Sequence, residues 1–124
     1  MSEDPWDDLP CIEQAFMINA FEIDILPGAR GDFDEADQDR PVGEIAAVLL
    51  ALVDRGWVEV RRIVPWVSPD GRMGYGHGDL VPRDHLETVL QDEASWEYPD
   101  DGDWIGALTL VETEAGRRIT RKAP

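Results

Sequence analysis

The sequence is poor in cysteine, lysine and histidine, and it has no long apolar run. Cys11 is the one cysteine, so no disulfide can form within the chain. A zinc site would need its other ligands from histidine or carboxylate. A lone cysteine also suits a reducing compartment, and a cytoplasmic location is expected. No stretch approaches the roughly 18 apolar residues of a membrane-spanning helix. The opening residues, Met1-Ser2-Glu3-Asp4-Pro5-Trp6-Asp7-Asp8, are acidic and lack the apolar centre of a secretory signal. Lys122 is the single lysine beside ten arginines, a bias that points to genome composition more than to mechanism.

Positive charge is scarce overall. The 124 residues carry 27 Asp plus Glu against 11 Lys plus Arg, a net charge of −16. Residues 1–40 hold 12 acids and two arginines, whereas residues 111–124 hold two acids and four bases. Polyanions are poor partners for most of such a surface, and basic proteins, basic peptides or cations are better ones. Solubility alone also explains an acidic surface. Apolar residues still make up 43%, enough for one packed domain at this length.

Along the chain, residues 1–9 read as a disordered acidic arm, and residues 10–124 as one domain with an acidic loop at 27–40. Residues 10–25 suit a helix opened by Pro10, with a stripe of Ile12, Ala15, Phe16, Ala20 and Phe21. Ile23 and Ile25 also fit a short strand. Pro27-Gly28-Ala29-Arg30-Gly31 has turn composition, and residues 32–40 form a charged loop or solvated helical turn. Residues 41–55 give the clearest helix. Ile45, Val48, Leu49, Leu52 and Val53 follow helical spacing, and Gly56 supplies its C-terminal cap. Residues 57–66 read as a strand, with Pro65 at an edge or outside the ladder. Ser68-Pro69-Asp70-Gly71 is a turn. The glycine-rich residues 72–80 suggest a flexible connection, and 82–93 a second helix on Leu86, Val89 and Leu90. Residues 95–98 and 104–111 suggest two strands joined by a hairpin tip at 99–103. Thr113 can cap a short helix over 114–120.

Several chemical motifs fail on spacing. The glycines of 71–78 lack the Lys-Ser/Thr of a phosphate loop, and Asp79 and Asp84 would repel phosphate. An EF-hand begun at Asp32 would place Ala36, Asp37 and Gly43 where a ligand, a glycine and a glutamate belong. His77, Asp79 and His85 have no known ligand spacing. Cys11 with either histidine could form a nucleophile and base, but its place beside Ile12 favours a buried structural thiol. The carboxylate pairs Asp7–Asp8 and Asp100–Asp101 fall in the arm and the tip. No cofactor, metal or catalytic constellation is implied, so the chain is expected not to be an enzyme. Trp57, Trp66 and Trp104 fit core positions in strands. Trp96 beside the acids suits an interface anchor.

Residues 49–59, from Leu49 through Arg55-Gly56-Trp57-Val58 to Glu59, resemble the helix-to-strand junction of winged-helix domains. Residues 108–117, with Thr113-Glu114-Ala115-Gly116-Arg117, are similar to the segment leaving the wing in bacterial winged-helix regulators. The likeness covers residues 41–120. It implies an α+β, winged-helix-like fold of three to four helices with a small antiparallel sheet and wing. The family's usual role implies DNA binding, with residues 83–93 as the groove helix. That segment carries Asp84, Glu87, Asp92 and Glu93 against Arg83, and the tip adds three aspartates. A carboxylate about 7 Å from a phosphate costs roughly 0.6 kcal/mol in water, so nucleic acid is disfavoured.

Two functions follow. The first is a non-enzymatic acidic module, of the immunity- or antitoxin-like kind, that engages a basic partner protein. Its binding residues would be Asp32, Asp34, Glu35, Asp37, Asp39, Trp96, Asp100, Asp101 and Asp103. The alternative is a DNA-binding regulator that dimerises through the 10–25 helix. It would touch DNA with Arg61, Arg62, Arg117, Arg118, Arg121 and Lys122.

Overall fold

A computed structural model describes residues 8–20 and 24–120. The disordered-arm assignment to residues 1–9 falls mostly outside them, as do Phe21, Ile23, Arg121 and Lys122. The chain is mixed α+β. Its elements run α1 (Cys11–Asn19), α2 (Leu26–Gly31), α3 (Glu35–Gln38), α4 (Val42–Asp54), β1 (Val58–Val67), β2 (Met73–Leu80), α5 (Arg83–Gln91), a 3-10 helix (Glu93–Trp96), β3 (Leu108–Glu112) and α6 (Glu114–Thr120). The sheet is antiparallel, in the order β2-β1-β3.

Helix α4 forms where its pattern requires. Ile45, Leu49 and Leu52 are fully buried, each contributing about 1.5–3 kcal/mol of apolar transfer. Gly56 ends the helix with φ 78°. Its N–H bonds to Val53 O at 2.9 Å, and Trp57 N–H reaches back to Leu52 O at 3.2 Å, which closes a Schellman motif. The second motif segment folds against this cap. Thr113 Oγ1 accepts the Gly116 N–H at 3.1 Å, and its hydroxyl donates to Gly56 O. A Cβ at Gly116 would lie 2.1 Å from Trp57 O, so only glycine lets α6 come this close to β1. At the same end of α4, the Arg83 guanidinium bridges Asp54 from the start of α5, at 2.7 and 3.1 Å. That pair holds the Asp54 carboxyl below the usual range.

The described residues 8–20 and 24–40 pack on the rest rather than hanging off it. Ile12, Ala15, Phe16 and Met17 of α1 join one core that extends to Leu110 of β3. Phe16 meets Phe33 and Trp96 edge-on, with centroids 5.4 and 5.9 Å apart. The apolar stripe of α1 is thus buried within the chain and is not free to act as a dimer face. Residues 27–31 are helical, not a turn. Pro27 falls in the first turn, where a missing N–H costs nothing, and Leu26, Pro27 and Ala29 are buried. Thr109 Oγ1 donates to Asp24 O at 2.6 Å, which ties β3 to the approach to α2.

The hairpin lies elsewhere than expected. It joins β1 to β2 through Ser68–Gly71, with Gly71 at φ 87° and Ser68 N–H on Arg72 O. This is the three-residue loop with a left-handed glycine. The glycine-rich stretch is therefore a strand. Trp66 lies across Gly74 and Gly76, where a Cβ would sit 3.7 and 3.4 Å from its atoms. Residues 93–96 form a 3-10 turn capped by Asp92, and a turn through Gly106 delays β3 until Leu108. Residues 99–103 are thus a loop between the 3-10 helix and β3, not a hairpin tip.

Candidate acidic groove

The loop after the 3-10 helix builds an open groove of roughly 510 Å³. Ile25, Pro27 and Leu108 supply apolar lining, and Glu97, Asp100, Asp101 and Asp103 supply carboxylates. The loop is fixed by its own acids. Asp103 N–H donates to Asp101 Oδ1, and Ile105 N–H to Asp103 Oδ1, both at 3.0 Å. Such turns replace ladder bonds with side-chain acceptors. Arg62 also lines the groove, and its Nη1 is held by Gly106 O at 2.8 Å. Tyr98, 56% exposed, and Ile105 give the groove an accessible apolar surface.

Tyr98 also senses charge from outside the 97–103 loop. Partial desolvation, then the charges of Asp24 and Asp32, push its phenol above the ordinary range. Helix α2 packs on the 3-10 helix. Of the expected partner-binding residues, Asp100, Asp101 and Asp103 line the groove, and Asp32 is not among its lining residues. Asp34, Glu35 and Asp39 are exposed nearby in sequence. Asp37 is engaged with Arg40 at 2.6 Å, and Asp34 faces Cys11. Glu97, Tyr98 and Ile105 were missed. The signal for them was Pro99 after Tyr98, which breaks the strand assigned there.

Trp96 requires a correction. It is 2% exposed and its indole N–H donates to Leu90 O at 2.9 Å. It is a core residue under the groove rather than an anchor on it. Cys11 is corrected in the opposite sense, since it is exposed. A hydrogen bond to Asp34, reinforced by the Asp34 charge, pushes the thiol up. Its alkylation by iodoacetamide should therefore reach half-maximal rate above the pH of an ordinary thiol. Asp34→Asn should bring that midpoint down, and an unchanged midpoint would show that Asp34 does not hold the thiol.

The arginines of the DNA-binding alternative do not gather into a ledge among the described residues. Arg61 pairs with Glu59 at 3.0 Å and donates to Gly78 O at 2.9 Å. Arg62, next along the strand, points to the other face. Arg118 meets Glu114 at 3.4 Å. Arg117 and Arg118 lie on α6, which starts against Trp57, roughly 13 Å along β1 from Arg61. On α5, Asp84 and Glu87 are exposed. A second hollow, of about 480 Å³, is lined by Arg62, Asp79, His85 and apolar residues, and His77 is not among them. No group of three or more His, Cys, Asp or Glu among the described residues is placed to hold a metal ion. No helix among those residues is long and apolar enough to cross a membrane.

No protein-family model matches the chain, and comparison with curated proteins and with solved structures finds no match to it either.

Proposed function

We propose that this chain is a non-catalytic, cytoplasmic protein-binding module whose acidic groove receives arginine or lysine side chains of a basic partner protein. The observation that carries this reading is the gathering of Glu97, Asp100, Asp101 and Asp103 along a groove that also holds the exposed Tyr98. Carboxylates supply charge-assisted acceptors for a guanidinium. An aromatic face beside them adds a cation–π contact. An immunity or antitoxin protein that covers the phosphate site of a nuclease works by this physical logic. The winged-helix likeness enters as architecture. The Gly56 and Thr113 caps bring its two motif segments together.

The test is calorimetry with an arginine-rich peptide across a salt series, beside a glutamate-rich peptide of equal length. Binding of the basic peptide should be saturable and should weaken steeply as salt rises. Binding that ignores salt, or that does not distinguish the two peptides, would refute the reading.

A further inference from the structure

We infer that the outer edge of β2 is a self-association surface that pairs, antiparallel, with β2 of a second copy of this chain. Among the described residues β2 is an edge strand. Ser68 N–H bonds to Arg72 O, so alternation of the antiparallel ladder makes Trp66–Gly74 and Val64–Gly76 the bonded pairs. The backbone N–H and C=O groups of Met73, Tyr75 and His77 then face away from β1. An unpaired run of this kind is a template for another strand.

The edge has few of the usual guards. It carries no lysine and no proline, and its irregularity lies at the far end, where the register shifts between Arg61 and Ile63. Apolar side chains crowd the free half of the hairpin: Met73 is 79% exposed, Trp66 52%, and Val67 and Val64 are exposed beside them.

Charge selects the occupant. Two chains of −16 repel wherever carboxylates would face one another. Residues 58–80, the two strands and their turn, hold three acids, Glu59, Asp70 and Asp79, and three arginines, whereas the other 24 acids lie outside this segment. Asp70 is paired with Arg72, and Arg61 with Glu59. The hairpin thus has no net charge in a chain of −16, so a second copy meets less repulsion there than elsewhere, while the groove remains free for a basic partner. A two-fold axis at Tyr75 sets Tyr75 against Tyr75 of the second copy and Met73 against His77. It extends the sheet to six strands, with the same patch used by both copies.

Residue-resolved hydrogen exchange on the full chain at several concentrations, with sedimentation at the same concentrations, tests this. The amides of Gly74 and Gly76 should be protected throughout. Those of Met73, Tyr75 and His77 should gain about tenfold protection as dimer forms and lose it on dilution. Met73→Lys, at an exposed site, should abolish both the dimer and the added protection while Gly74 and Gly76 stay protected. A chain that remains monomeric up to about 1 mM, or a dimer whose Met73, Tyr75 and His77 amides exchange freely, would overturn the inference. The first outcome would leave the edge to a strand of another protein.

Discussion

Replacing Asp100, Asp101 and Asp103 together by Asn is expected to slow association with an arginine-rich peptide by about tenfold at low salt, with a smaller change in dissociation. The substitution separates charge from shape. Asp101 and Asp103 each accept a backbone N–H through Oδ1, and Asn keeps that acceptor while losing the charge. The loop, with Gly102 and Gly106 at φ 74° and 85°, should therefore hold its path. Three charges then leave the groove, and with them much of the field that steers a cation toward Tyr98. Stopped-flow rates of the two proteins should converge as salt rises, because screening removes from the parent what the substitution removes from the variant. An unchanged association rate at low salt would remove this loop from the binding surface.

Trp96→Ala is expected to destabilise the fold by about 3–5 kcal/mol, a fall in Tm on the order of 15 °C. The indole is buried between α5 and α1, beside Phe16 and within the main core. Truncation opens a cavity there and leaves Leu90 O without its donor. Trp96→Phe should cost less, since the ring volume is largely kept and only the N–H is lost. Thermal unfolding by circular dichroism measures both. A Tm within a few degrees of the parent, joined to lost peptide binding, is what an exposed anchor would give, and it would contradict the buried position.

Helices α4, α5 and α6 were readable from the chain because their signals are local. Pro41 before α4, the spacing of Ile45, Leu49 and Leu52, and Gly56 after it specify one helix without tertiary help. Thr113 and Gly116 likewise announced α6. The strands were harder, since pairing is decided by residues far apart. Glycine content argued for a connection over 72–80, yet Met73, Tyr75 and His77 alternate at the period of a strand. The glycines between them answer Trp66 across the ladder. Pro65 lies within the β1–β2 ladder, opposite Tyr75, rather than outside it. Its ring takes a non-bonded site opposite Tyr75, where a missing N–H breaks no β1–β2 bond.

The groove was only half legible. The aspartates at 100–103 stood out by composition, and so did Asp32. The groove that the aspartates at 100–103 line depends on α2 packing against the 3-10 helix, and neither element has a strong local pattern. Residues 27–31 read as a turn because proline and glycine outweighed the apolar Leu26 and Ala29. Residues 95–98 read as a strand because two aromatics alternate there. Burial of Trp96 instead turned this segment back over α5, and that carried Tyr98 outward to the acids.

The most direct test of the groove is a nuclear magnetic resonance titration of the isotope-labelled chain with an arginine-rich peptide at low salt, with a short DNA duplex as competitor. The expected result is a set of saturable shifts centred on residues 97–105. Salt should erase these shifts and the duplex should leave them unchanged. Shifts centred instead on Arg61, Arg62, Arg117 and Arg118 when the duplex alone is added, with residues 97–105 silent to the peptide, would contradict an acidic protein-binding site.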